Sequence, residues 1–239
     1  RLKDPNAFQS WYGQVHAHPE LLSQAVYGVA ELDGAAIRQA NLIANPGCYA
    51  TSVILACAPL FDKQLVDPAH VIVDAKSGLT GAGRKAQGAM MFAETNENLW
   101  PYKVNAHQHV AEIEQALGPY AHEHRPSIAM VPHVVPLNRG ILSTVYFRLT
   151  RSASWDEIRQ TYEARYRTSP FVRLRAQDDW PRLTDVSGTN YCDLAFTVDH
   201  DRGLAIVTAA IDNLVKGAAG QAVQNMNVRY GWPETTGLL

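Results

Sequence analysis

Cys48 carries the sharpest chemical signal in this 239-residue sequence. It lies in Asn45-Pro46-Gly47-Cys48-Tyr49-Ala50-Thr51, after a short apolar stretch at 42–44. Ala50, Val53, Ile54, Cys57 and Leu60 then repeat with a helical period. Pro46 and Gly47 make the turn, which puts Cys48 at or just before the first helical residue. Unpaired N–H groups and the helix dipole favour a negative charge there. The expectation is a thiol with a pKa below the free value of about 8.5, beside N–H groups able to stabilise an oxyanion. The competing reading is a buried structural cysteine, the usual fate of an unpaired one.

A thiol nucleophile needs a base. His107 and His109 open a second helical pattern that runs to Leu117 and closes at Gly118-Pro119. The positive end of the dipole disfavours imidazolium, so a neutral ring able to take a proton is expected. A histidine pair without a task is the alternative. Neither this pair nor His16-Ala17-His18 reads as having an acidic or thiol partner at ligand spacing, so no metal site is expected. Arg84 and Lys85 follow a glycine-rich turn, where backbone N–H groups and cations can meet an anion; a solvated loop explains them equally well. His133 and Arg139 flank Pro136 and can hold a carboxylate or phosphate, Arg by two parallel hydrogen bonds. Asn213 reads as the N-cap of a helix beginning at Leu214. Cys57 falls on an apolar helix face and Cys192 in a strand-like run, both structural. Asn190 and Tyr191 are candidates to line the same cleft.

These residues need a frame. A strand at 27–32, a helical stretch at 35–40 and a strand at 42–44 read as the end of a parallel sheet, with Cys48 beyond its carboxyl edge. The helix from Tyr49 is expected to stop near Ala58, before Pro59. Strands are expected at 71–75, 128–131 and 141–149, and a hairpin joins 194–198 to 204–210. Ser154 with Glu157 makes a capping box for a helix to about Arg167. A last helix from Leu214 to about Val228 carries small residues suited to close packing. The fold class is therefore α/β joined to α+β: the tail of a doubly wound parallel sheet (1–47), a mostly antiparallel-sheet domain (48–211), and a returning C-terminal helix and tail (212–239).

Composition narrows the class further. The chain has 46% hydrophobic and 18% charged residues and a formal charge of −2, which gives no electrostatic case for nucleic acid or an anionic membrane. No apolar run is long enough to span a bilayer. Three cysteines make no disulfide framework and fit a reducing cytoplasm.

The chain resembles the N-acetyl-gamma-glutamyl-phosphate reductase family, relatives of aspartate-semialdehyde dehydrogenase. The resemblance is carried by Trp11-Tyr12-Gly13, Asn45 to Thr51, Asp74-Ala75-Lys76-Ser77-Gly78 and Gly81-Ala82-Gly83-Arg84. It continues through Tyr102 to His109, Pro132 to Pro136, Arg139-Gly140-Ile141-Leu142, Gly188-Thr189-Asn190 and Asp212 to Ala222. It implies a catalytic domain like that of glyceraldehyde-3-phosphate dehydrogenase, NADP (NADPH) as cofactor, and a homo-oligomer formed through the catalytic-domain sheet. It also implies Cys48 as nucleophile, His109 as acid/base with His107 on the substrate, and Ser77, Gly78 and Asn213 at the nicotinamide end of the cofactor. The division between the two histidines stays open on sequence alone. The reaction implied is NADPH-dependent reduction of an N-acetylated acyl phosphate to a semialdehyde, in arginine biosynthesis. No G-x-G-x-x-G turn occurs in the chain, so the dinucleotide fingerprint is expected upstream, in a longer protein. Competing readings are a sister reductase for another acyl phosphate, a cofactor-free thiol hydrolase or acyltransferase, and a non-catalytic assembly fragment.

Overall fold

A computed structural model describes residues 1–83 and 88–239. Helix α1 (Pro5–Tyr12) is capped by Asp4, whose side chain accepts from the Asn6 N–H. Strand β1 (Val26–Tyr27), helix α2 (Ala30–Gln39) and strand β2 (Ile43–Ala44) form a β-α-β unit with β1 and β2 parallel. The strand expected at 27–32 ends at Tyr27, and the helix begins five residues earlier than the expected 35. Gly28 explains the early break, because a Cβ there would come within 2.6 Å of Ile43 Cγ2. The chain can therefore cross close to β2 only without a side chain at this point.

Helix α3 (Cys48–Asp62) follows, buried from Tyr49 to Phe61. It runs through Pro59 instead of stopping before it. Proline removes one N–H and pushes away the carbonyl four residues back, which here is that of Leu55. The Tyr166 hydroxyl donates to Leu55 O at 2.7 Å, and the Tyr162 hydroxyl donates to Ala56 O. Both tyrosines come from another helix, so the one carbonyl that Pro59 frees, that of Leu55, is satisfied by tertiary contact.

The remaining chain builds one sheet. Its elements are β3 (Val66–Ser77), α4 (Phe92–Thr95), β4 (Trp100–Pro101), α5 (His109–Leu117), β5 (Ile128–Val134), β6 (Ile141–Leu149) and α6 (Trp155–Tyr166). There follow β7 (Val172–Leu174), α7 (Leu183–Val186), β8 (Cys192–Asp199) and β9 (Leu204–Ile211). A π-helical turn at Val215–Ala219 leads into α8 (Gly220–Tyr230). Strand order is β4-β5-β3-β6-β9-β8-β7. Strand β5 is parallel to β3 and β7 to β8; the other pairings are antiparallel, as expected. The capping box is present, with Ser154 accepting from the Glu157 N–H.

Side chains alternate across this sheet. Val71, Val73, Val145, Phe147 and Val207 point into the core beneath the helices, while Ile72 on the other face is 54% exposed. Ile72, Tyr146 and Ile206 share one register row on that open face. Helix α8 returns to α2, and the join is made by polar groups buried together. Asn225 donates to Gly28 O at 2.8 Å, and the fully buried Lys216 meets both Glu31 and, at 2.7 Å, Gln224. Among the described residues no helix is long and apolar enough to cross a membrane.

Candidate active site

Cys48 is the first residue of α3, and Gly47 is its N-cap with φ −76° and ψ 158°. The helix-start geometry expected from sequence is therefore present. The expected low thiol pKa is not: burial pushes Cys48 up to about 11, against the smaller opposing pull of the Tyr49 and Cys48 N–H groups. Desolvation of the thiolate outweighs the helix end. One glycine presses on the half-buried cysteine, and another lets His109 come close to the turn before it. A Cβ on Gly217, in the π-helical turn, would lie 2.7 Å from Cys48 Cβ. A Cβ on Gly47 would collide with the Nε2 edge of the His109 ring, 2.5 Å from Cε1 and 2.6 Å from Cδ2. The imidazole thus rests against the residue preceding the nucleophile.

Both histidines are buried, with pKa values lowered to about 3. The direction agrees with expectation, but burial is the leading cause, followed by neighbouring positive charge from His109 and Lys103 at His107, and from Arg1 and Lys103 at His109. His107 Nδ1 accepts from the His109 backbone N–H at 3.1 Å, which leaves the ring proton of neutral His107 on Nε2. The two rings meet edge to face, centroids 4.4 Å apart, and Tyr49 packs edge-on against both. Tyr102 donates to the Tyr49 hydroxyl at 3.1 Å.

Glu112 is the residue that sequence reading missed. It is fully buried one turn along α5, with Oε1 3.9 Å from His109 Nε2. Its carboxylate accepts from Tyr12 Oη at 3.0 Å, Tyr27 Oη at 2.9 Å, the Gly47 N–H at 2.9 Å and Arg1 at 3.3 Å. One carboxylate therefore ties the start of the chain, the turn before Cys48 and the histidine helix together. Burial and the nearby Glu112 hold the Tyr12 phenol at about 12, so it remains a donor. The available signal was His-x-x-Glu on one helix face, and the reading that the pair lacks an acidic partner is corrected by it.

Ser77, Gly78 and Asn213 are brought together where β3 ends and β6 begins. A Cβ on Gly81 would sit 2.8 Å from Ser77 Oγ and 3.9 Å from Asn213 Nδ2. A Cβ on Gly78 would be 2.8 Å from Leu137 O, so only glycine fits. Asn213 is not the helix cap: Asp212 Oδ1 accepts from the Leu214 and Val215 N–H groups, while Asn213 Oδ1 accepts from Gly140 N at 2.7 Å. Among the described residues Asn213 Nδ2 donates to Thr80 at 3.0 Å, which leaves a second N–H, and Ser77 Oγ donates to Gly78 O beside the Tyr49 hydroxyl. A cavity of about 240 Å³ links this corner to His107, through Tyr102, Lys103 and Gln108. A larger groove of about 590 Å³ between α6 and β7 has no nucleophile or histidine in its lining, so size does not mark the site.

Arg139 lies near this corner, 3.7 Å from the buried Asp212. His133 does not join the cluster; it projects to the open sheet face, 3.3 Å from Asp74, as strand alternation requires. Asn190 is buried and donates to Gln224 at 2.9 Å, and Tyr191 lies under Arg173. Cys57 and Cys192 are buried and unpaired, as expected of structural cysteines. Arg84 and Lys85 lie outside the described residues.

Comparison with known proteins gives the family and the fold. Residues 48–213 match the family model for the semialdehyde dehydrogenase dimerisation domain. The N-acetyl-gamma-glutamyl-phosphate reductase of Pelotomaculum thermopropionicum is 50% identical over 238 residues, covering 100% of this chain and 68% of that protein. The enzyme of the same name from Bacillus subtilis is 48% identical, covering 100% of this chain and 69% of its own. Aspartate semialdehyde dehydrogenase II of Vibrio cholerae shares the fold, with a TM-score of 0.70 at 18% identity over 90% of this chain and 71% of that one. The Francisella tularensis aspartate semialdehyde dehydrogenase gives 0.65 at 14% identity over 85% and 70%. A cysteine at a helix start, a buried histidine pair and near-half identity along its full length thus converge: the chain belongs to the N-acetyl-gamma-glutamyl-phosphate reductase family, within the semialdehyde dehydrogenases.

Proposed function

We propose that this chain carries the catalytic machinery for NADPH-dependent reduction of N-acetyl-gamma-glutamyl phosphate to N-acetylglutamate 5-semialdehyde and phosphate, a step of arginine biosynthesis. The observation that carries the reading is Cys48 at the start of α3, with His109 resting on Gly47 and Glu112 behind it. Cys48 is a neutral thiol near pH 7, so its proton must leave as the sulfur attacks. The neutral His109 ring takes that proton, and the Glu112 carboxylate 3.9 Å away favours the resulting imidazolium. A bond forms between Sγ and the acyl carbon; the carbon–oxygen bond to phosphate breaks, and phosphate leaves as the anion. The N–H groups at the start of α3 stabilise the oxyanion. Ser77 Oγ and the free N–H of Asn213 fit the carboxamide end of a nicotinamide, with Gly78 keeping the surface bare. When bound, the nicotinamide supplies the hydride that reduces the thioester carbonyl. His109 then returns its proton to the sulfur as the aldehyde departs.

His107 positions substrate: it lines the cavity, and with Nδ1 accepting from the His109 N–H its ring proton is on Nε2. Arg84, Lys85 and Arg139 complete the anion-binding set, while His133, beside Asp74 on the open sheet face, stands apart from it. The open sheet face, with Ile72, Tyr146 and Ile206 in one row, supports a homo-oligomer assembled through that face. Three unpaired cysteines, one of them the nucleophile, suit a reducing cytoplasm.

The test uses the full-length protein. Phosphate-dependent oxidation of N-acetylglutamate 5-semialdehyde with NADP is expected, and Cys48→Ser is expected to keep cofactor binding while losing turnover. Normal turnover by Cys48→Ser, or preferred turnover of a non-acetylated semialdehyde by the wild type, refutes the reading.

A further inference from the structure

Lys103 lies in the turn between β4 and α5 and adopts φ +45°, with Asn105 at +52°. Left-handed backbone at a residue other than glycine is costly and persists where surrounding contacts hold it. Here the turn is clipped to β5. Tyr102 N donates to Pro132 O at 2.9 Å, Asn105 N to Met130 O at 2.9 Å, and Met130 N to Asn105 Oδ1 at 2.8 Å. The result is that Lys103 lines the 240 Å³ cavity with Ser77, Tyr102, His107 and Gln108.

Lys103 is the one cation among the described residues of that lining. Its Nζ donates to Gln108 Oε1 at 3.2 Å, a neutral acceptor, and among the described residues it makes no ion pair. An ammonium has three donors, so two remain for a ligand. Its charge also reaches both histidine rings, which puts it in the same electrostatic field as the reacting groups.

We propose that Lys103 anchors an anionic oxygen group of the substrate, the carboxylate remote from the reacting carbon or the phosphoryl group. This rests on the acyl-phosphate reading above. A remote carboxylate keeps its charge through the reaction, so loss of Lys103 from it appears in KM more than in kcat; a departing phosphoryl group gains charge, so loss there lowers kcat as well as raising the KM for phosphate.

In the full-length enzyme run in the phosphorylating direction, the aldehyde and inorganic phosphate have separate KM values. Lys103→Met is expected to raise one of them about ten- to a hundredfold, the range for a lost charge-assisted hydrogen bond. A rise for the aldehyde identifies the carboxylate as the ligand, and a rise for phosphate identifies the phosphoryl group. Lys103→Arg, which keeps the charge, is expected to recover most of the loss. Both KM values within twofold of wild type in a folded Lys103→Met variant overturn the anchor while leaving the reductase reading intact. A wild type that turns over neither compound overturns both.

Discussion

Gly47→Ala tests the contact between the turn and the histidine. Gly47 has φ −76° and ψ 158°, a conformation any residue adopts, so the added methyl costs nothing through the backbone. Its cost is steric. The new Cβ would lie 2.5 Å from His109 Cε1, where ordinary contact starts at 3.4 Å. The ring must withdraw by about 1 Å, a displacement that can cost on the order of 10²-fold in rate. There is little room for it, since Glu112, His107 and Tyr49 surround the imidazole. Overpacking of this kind costs about 1–3 kcal/mol, offset by about 0.4–1 kcal/mol from a less flexible unfolded chain. Stability should therefore fall by no more than about 2.6 kcal/mol, while kcat/KM falls about a hundredfold. Initial rates and urea midpoints on one preparation separate the two effects. Gly34→Ala, where nothing lies within 4 Å of the new methyl, is the control and should leave turnover unchanged. If Gly47→Ala keeps kcat/KM within threefold of wild type, His109 does not act from the position described.

Acid should destabilise the fold through the buried histidines. Their folded pKa of about 3 lies below the unfolded value of about 6.5, so stability is full above that value and is lost as pH falls from 6.5 toward 3. Each ring is expected to cost on the order of 1–2 kcal/mol at pH 5; urea midpoints at pH 7 and 5 should show it, with a smaller drop in His107→Gln, and an equal drop in that variant would contradict the assignment. Tyr166→Phe should cost about 1–3 kcal/mol by stranding Leu55 O. In a Pro59→Ala background, whose new N–H reaches the same carbonyl, the cost should shrink; a double-mutant cycle with no coupling would contradict this account.

Regular elements were legible where periodicity was strong. The helix His109–Leu117 and the strand Ile141–Leu149 have the limits read from sequence, because local pattern and burial agree there. Features set by distant partners were not. Pro59 looked like a stop because Tyr166, the donor that satisfies the Leu55 carbonyl it frees, is more than 100 residues away. Glu112 looked like one more acidic residue on a helix, since its donors Gly47, Tyr27 and Tyr12 are 65, 85 and 100 residues distant. The dipole at Cys48 is a local quantity and was anticipated; its burial is a tertiary one and reversed the sign of the pKa shift. Asn213 was read as a cap because it precedes Leu214, but Asp212 took that place, leaving the asparagine to hold the β6 entrance.

The docking of α8 on α2 has a kinetic consequence. Asn225 reaches Gly28 across 197 residues, and Lys216 reaches Glu31 across 185. Contacts of such separation form late, because chain closure precedes any gain from them. On the ribosome, β1, α2 and β2 emerge long before the helix that covers them, and must wait through synthesis of the entire seven-stranded sheet. Gly217 belongs to that late-arriving segment and supplies one wall against Cys48. Between synthesis of residues 48 and 217 the thiol therefore lacks this one wall, which closes over it only after the turn at Val215–Ala219 has been made.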